Sequence, residues 1–98
     1  MAVTTFSRMV HKRVIGANAY SLGEVVGADI DTGKWQVTHL HVSTTDDATR
    51  ELGFKKPFMG SVVVCPPVSL IQAVGDVITL NKSIDELRHV VEPKAHKN

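Results

Sequence analysis

The sequence predicts a mainly β protein: a small antiparallel β-barrel of about six strands, with a short inserted helix and a C-terminal helix. Short runs of β-forming residues alternate with turn signals along most of the chain. Only residues 45–54 and 83–91 carry helix start signals. Because sequential short strands joined by tight turns favour antiparallel pairing, we expect a barrel and not a parallel sheet.

Composition limits the size and chemistry of this fold. The chain has 98 residues, 43% of them hydrophobic and 21% charged, which is typical of one folded domain. Its net charge is +1, so the domain does not have the strongly positive electrostatic field of a typical nucleic-acid-binding protein. The single cysteine, Cys65, excludes an internal disulfide and a Cys-rich zinc site. We expect a domain over residues 9–91, flexible ends at 1–8 and 92–98, and a cytoplasmic location.

The first half of the chain predicts three strands. The first lies within residues 9–15 and is followed by a turn at residues 16–19. The second covers residues 22–30, and a tight turn at residues 31–34 leads to the third, with Gly33 suited to a positive φ.

The third strand, residues 35–43, does not alternate cleanly between apolar and polar side chains. Trp35 and Val37 share one face with His39, whereas Leu40 and Val42 point to the other. Two interpretations remain: a bulge near Thr38 switches the faces, or both faces are partly covered.

A short helix follows over residues 45–54. Thr45 can cap its first amides, and Asp46 and Asp47 complement the positive end of the helix dipole. Gly53 is suited to the helix stop.

The second half predicts three more strands and the last helix. The apolar run at residues 62–65 suggests a buried strand, which Pro66 stops. Residues 68–74 and 77–80 form two further extended segments around a turn. Ser83 and Glu86 form a capping box for the helix over residues 83–91.

The last helix carries an apolar stripe that must be buried. Ile84, Leu87 and Val91 fall on one helical face. We expect this stripe to dock on the chain's own barrel, or on a second subunit in a dimer.

Several stretches stand in a definite order along the chain: Val14-Ile15-Gly16, Leu22-Gly23-Glu24-Val25-Val26, Trp35-Gln36-Val37-Thr38-His39-Leu40, Leu52-Gly53-Phe54-Lys55-Lys56-Pro57, Gly60-Ser61-Val62, and Leu70-Ile71-Gln72-Ala73-Val74-Gly75-Asp76-Val77-Ile78-Thr79-Leu80. Their order and spacing over residues 9–91 resemble the PRC-barrel domain family, in particular its stand-alone archaeal members. The family also includes the cytoplasmic part of the photosynthetic reaction-centre H subunit and the C-terminal domain of the ribosome-maturation factor RimM. The resemblance implies a PRC-type β-barrel.

The resemblance also implies a binding module and no enzyme. Some archaeal PRC-barrel proteins act in cell division, so we expect an adaptor that forms homodimers and binds SepF or another PRC-barrel protein at the FtsZ ring. It would use no cofactor and no small-molecule substrate, and it would reach the membrane only through its partner. The alternative is an RNA- or ribosome-associated module resembling the RimM domain, which the near-neutral charge disfavours.

The candidate protein-binding residues lie in one loop. Phe54, Lys55, Lys56, Phe58 and Met59 combine two aromatic side chains, a methionine and two cations. If exposed, this composition is typical of a binding hot spot. Alternatively, Phe54 and Phe58 plug the open end of the barrel.

Catalytic and metal sites have weaker signals. His39 and His41 could share a metal with His11, but no further ligand stands at a convincing spacing, so we predict no metal site. Cys65 follows three valines and is better explained as a buried thiol than as a nucleophile.

Overall fold

The computed structural model describes residues 3–55 and 61–91. The described part contains six strands, three short helices and one 3₁₀ turn: α1 Phe6–Met9, β1 Arg13–Ile15, β2 Ser21–Asp31, β3 Gln36–Thr44, α2 Asp46–Glu51, β4 Val63–Val64, the 3₁₀ turn Val68–Leu70, β5 Ile71–Val74, β6 Val77–Leu80 and α3 Ile84–Leu87. The mainly β class is confirmed. None of the helices in these residues has the length and apolar character that a membrane crossing requires.

All six strands belong to one sheet, in the order β4-β3-β2-β1-β6-β5. The prediction of purely antiparallel pairing is wrong, because β1 and β6 run parallel and the sheet is mixed. Tight turns enforce antiparallel pairing only between consecutive strands, and β1 and β6 are separated by most of the chain. The described strands do not close on themselves, since β4 and β5 stay at opposite edges.

The strands β2 and β3 form the long hairpin at the centre of the sheet. They approach each other most closely at Gly23, which pairs with Thr44. A Cβ at position 23 would lie 1.9 Å from the carbonyl oxygen of Ser43. Only glycine therefore permits this strand spacing.

Two bulges interrupt the hairpin. Asp29 pairs with His39 and Ile30 with Val37, so Thr38 is the extra residue on β3. Of the two interpretations left open by the broken alternation, the structure therefore has the bulge near Thr38. A second bulge lies between Val25 and Gly27 on β2.

The turn of the hairpin differs from the prediction. The residue with positive φ is Trp35 (54°), and Gly33 does not adopt such a φ. Asp31 determines the turn, because its Oδ1 accepts hydrogen bonds from the amides of Gly33 (2.9 Å) and Lys34 (3.2 Å). This side-chain bonding holds the loop without a left-handed glycine.

The inserted helix α2 has the predicted cap and glycine stop, but it is shorter than the predicted residues 45–54, since it ends at Glu51. The Ala48 amide donates to the Thr45 hydroxyl at 3.0 Å, and Gly53 follows the helix with φ of 84°. Ala48 and Leu52 are buried. The cap and the stop thus fix which face of α2 meets the sheet.

Other segments have a secondary structure that differs from the one predicted from the sequence. A helix occupies Phe6–Met9, and the first strand begins only at Arg13. Val68–Leu70 is a 3₁₀ turn and not extended, because the Leu70 amide bonds back to the Pro67 carbonyl. The apolar run that predicted β4 yields two strand residues, of which Val64 is buried and Val63 half-buried.

The core lies between one face of the sheet and the helices α2 and α3. Its buried members come from five strands, from both helices and from the residues that follow each helix: Val14, Leu22, Val25, Leu40, Val42, Ala48, Leu52, Val64, Ile78, Leu80, Ile84, Leu87 and Val91. The other face of the sheet is more polar, with Glu24, Asp29 and His41 half-buried on it.

Replacing Gly23 tests the central strand contact. We expect Gly23→Ala to lower the free energy of unfolding by about 3 kcal/mol or more, because the new methyl collides with backbone that cannot rotate away. Gly75→Ala is the matched control, since a Cβ there meets nothing within 4 Å. Urea unfolding followed by circular dichroism compares the two variants. Equal, small effects would contradict the close approach at Gly23.

Candidate protein-binding surface

Only part of the predicted binding loop lies in the described residues. Phe54 is half-buried against the core, and its amide donates to the Thr49 carbonyl at 3.0 Å. Lys55 is exposed. Lys56, Phe58 and Met59 lie outside the described residues. Phe54 thus partly fills the end of the core, and the rest of the predicted cluster stays a prediction.

The last helix packs on the chain's own sheet. Ile84, Leu87 and Val91 are all buried in the core. Two docking sites were expected for the apolar stripe, and in the structure the stripe docks on the chain's own domain. The helix itself is shorter than predicted, since α3 ends at Leu87 and single turns continue to Val90.

Two polar contacts fix the position of α3. In the predicted capping box, the Glu86 amide donates to the Ser83 hydroxyl (3.3 Å) and the Ser83 amide to the Glu86 carboxylate (2.8 Å). This amide hydrogen bond is the main reason why the pKa of Glu86 is lowered. The Arg88 guanidinium also donates to the Glu51 carbonyl at 2.7 and 2.9 Å, which joins α3 to the end of α2.

A group of exposed apolar residues, including the only tryptophan of the sequence, lies at the end of the β2–β3 hairpin. Trp35 is 77% exposed, Ile30 is 56% exposed and Val37 is 40% exposed. We call these three residues the hairpin patch. Ile30 and Val37 are directly paired, two pairs beyond the Ala28–Leu40 pair whose side chains reach the core. The apolar face of the hairpin thus continues past the core into solvent.

Sequence reasoning missed the hairpin patch because it treated Trp35 and Val37 as ordinary strand residues. A signal was available in the sequence. Trp35 adjoins the turn at residues 31–34, and apolar residues beside a turn lie far from the middle of a sheet.

The histidines do not gather into one site. His41 Nε2 lies 2.7 Å from Asp29 Oδ1, and His39 Nδ1 lies 4.0 Å from the other oxygen of Asp29. His11 contacts Glu24 instead, at 3.3 Å. Within residues 3–55 and 61–91, no three side chains of metal-binding type are placed to hold an ion. The His41–Asp29 pair is a cross-strand contact that orients the imidazole.

A broad hollow of about 670 Å³ opens beside β1 and β2. His11, Arg13, Glu24, Ser43 and Asp76 contribute to its lining, so positive and negative groups are mixed. Its open shape differs from the enclosed pockets that small ligands usually require. Cys65 lies apart from it, half-buried after β4.

Comparison with known proteins adds no assignment: no protein-family model matches this chain, and no curated protein matches it either. The PRC-barrel resemblance therefore depends on the stretches quoted from the sequence. The functional interpretation depends on those stretches and on the surface described above.

Replacing Leu87 tests whether the stripe holds the fold together. We expect Leu87→Asp to lower the free energy of unfolding by about 3 kcal/mol or more, because it buries an unpaired carboxylate. Val90→Asp is the control, since Val90 is half exposed in the following turn. Denaturant unfolding measures both variants. Similar losses from the two changes would show that the stripe is not a special contact.

The capping box predicts a specific pH dependence. The folded chain holds Glu86 at a lowered pKa, so it binds fewer protons than the unfolded chain at mildly acidic pH. The stabilisation from Glu86 is therefore present above the ordinary glutamate pKa and is lost as the pH falls through the lowered value. Glu86→Gln keeps the capping geometry but cannot titrate. Its stability should fall less steeply with acid than that of the wild type, and parallel curves would contradict this assignment.

Proposed function

We propose that this protein is a non-catalytic protein-binding adaptor of archaeal cell division. In this proposal the open six-stranded sheet is a PRC-type barrel domain. The protein forms homodimers and binds SepF or another PRC-barrel protein at the FtsZ ring. It acts in the cytoplasm at the division site, reaches the membrane only through its partner, and uses no cofactor and no small-molecule substrate.

The hairpin patch is the observation that best supports a binding role. Tryptophan is the residue most enriched in binding hot spots, and here Trp35 is largely exposed next to Ile30 and Val37. Exposing these side chains to water is costly unless a partner covers them in the functional state. The patch lies at the tip of a hairpin, where a partner can approach without disturbing the core.

The basic residues near β1 give weaker support to the RNA alternative. His11 contacts Glu24, and the Lys12 ammonium donates to the Gly75 carbonyl at 2.7 Å. Asp76 adds another negative charge to the same hollow. Mixed charges of this kind do not supply the field that phosphate binding requires.

Light scattering coupled to size-exclusion chromatography tests the proposal. The wild type should elute as a dimer and shift to a larger stoichiometric complex when purified SepF is added. Trp35→Ala should weaken the complex about tenfold or more, because it removes the main apolar anchor. Val90→Ala, at a similarly exposed position outside the patch, should bind like the wild type.

Each contrary result would reject a different part of the proposal. A dimer that SepF does not shift would overturn SepF as the partner. Equal binding by Trp35→Ala and wild type would remove the hairpin patch from the interface. Binding of RNA with a steep salt dependence would favour the RimM-like alternative.

A further inference from the structure

Although β2 lies between β3 and β1 in the sheet, the short β1 pairs with only its first part. The described residues leave the rest of that edge of β2 open. The His11 amide donates to the Val25 carbonyl (2.8 Å), and the Val25 amide donates to the Lys12 carbonyl (3.0 Å). Beyond Val25, neither a strand nor a backbone group among residues 3–55 and 61–91 bonds to β2 on its β1 side. Within the described part of the chain, β2 therefore has strand pairing only with β3 from Val26 to Asp31.

The hydrogen bonds of β3 show which groups point to this edge. The Leu40 amide donates to the Pro66 carbonyl at 3.0 Å, so the backbone groups of Leu40 face away from β2. Ala28 lies directly opposite Leu40 and thus belongs to a pair without mutual hydrogen bonds. The N–H and C=O of Ala28 point to the open edge. Strand alternation directs those of Ile30 the same way.

The open edge lacks lysine and proline, two of the features that normally prevent strand pairing, although it has two aspartates and the bulge at Val26. Native edges are protected by charged side chains, by proline, by bulges or by a covering segment. Residues 26–31 are Val, Gly, Ala, Asp, Ile and Asp, with neither lysine nor proline, and Val26 and Ile30 are exposed. This edge is suited to accept another extended strand.

We propose that a second copy of this chain pairs with this edge, β2 antiparallel to β2, around a two-fold axis at Ala28. The proposal specifies the surface for the self-association proposed above and depends on it. The axis places each Ala28 opposite the other, where the two residues exchange both backbone hydrogen bonds. The two sheets then become continuous across the dimer.

The sequence around Ala28 is complementary to itself in this register. Gly27 faces Asp29 of the second copy, so no carboxylates directly oppose each other, and the bulged Val26 lies at the end of the paired segment near Ile30. Moving the axis by one residue towards Asp29 would place the two Asp29 side chains directly opposite, which is unfavourable. Avoiding that contact favours the axis at Ala28.

Charge and length favour the same arrangement. Asp31 of the second copy reaches the point where β1 takes over the edge, next to the basic run from His11 to Arg13. Because β1 and the residues just before it cover β2 as far as Val25, the overlap is limited to the open segment that follows. A two-fold pairing uses both open edges at once, so the assembly closes as a dimer and does not grow into a filament.

Sedimentation across a concentration series tests this interface. Ala28→Pro removes a backbone donor for which the described residues supply no acceptor, and Ile30→Lys adds an edge charge. Each should weaken the dimer about tenfold or more while the thermal midpoint stays close to that of the wild type. Val74→Lys is the control, because Val74 is similarly exposed on the outer strand β5. It should leave the dimer unchanged.

A cross-link tests the register. In a Cys65→Ser background, Ala28→Cys should form a disulfide-linked dimer with oxidised glutathione, because directly paired residues lie about 5.5 Å apart at Cα. Gln72→Cys on β5 should stay monomeric on a non-reducing gel. The cross-linking result remains informative even if the Ala28→Pro variant fails to fold.

The outcomes separate the two proposals. A wild-type dimer that neither Ala28→Pro nor Ile30→Lys weakens, with no Ala28→Cys cross-link, would overturn the β2 interface but leave self-association standing. A wild type that stays monomeric at every concentration would overturn both self-association and this interface.

Discussion

The surface of this protein depends on a difference in strand length. β1 has three residues and β2 has eleven, so β1 supports only the first part of its neighbour. The short β1 is confined between the turn at His11 (φ 73°) and Gly16, where the backbone passes close to the Lys82 carbonyl. Beyond Val25, no described strand pairs with the β1 side of β2, and past the Ala28–Leu40 pair the side chains of Ile30 and Val37 are exposed to solvent.

The base of the same hairpin depends on a close backbone contact between β2 and β3, at which only glycine fits. Gly23 brings β2 against β3, and bulges at Val26 and Thr38 then bend the two strands. The result is a rigid base and an exposed tip within one element. Such an element is suited to recognition, since the base keeps the strand extended and preorganised for a partner.

Local chemistry could be predicted from the sequence, and long-range pairing could not. The Thr45 cap, the Ser83–Glu86 box and the bulge at Thr38 follow from neighbouring residues, and each is found. The parallel contact of β1 with β6 depends on segments far apart in the chain, which turn signals do not report. The hairpin patch was missed for a related reason: whether Trp35 is buried depends on how far the core extends, not on its neighbours.

Amide hydrogen exchange of Ala28, measured by NMR at several protein concentrations, tests the account most directly. The Val25 amide is bonded within the chain and should be protected at every concentration. The Ala28 amide points to the open edge, so it should exchange quickly in dilute monomer and become protected as the dimer forms. Protection of Ala28 that does not change with concentration, or no protection even in the dimer, would contradict the account.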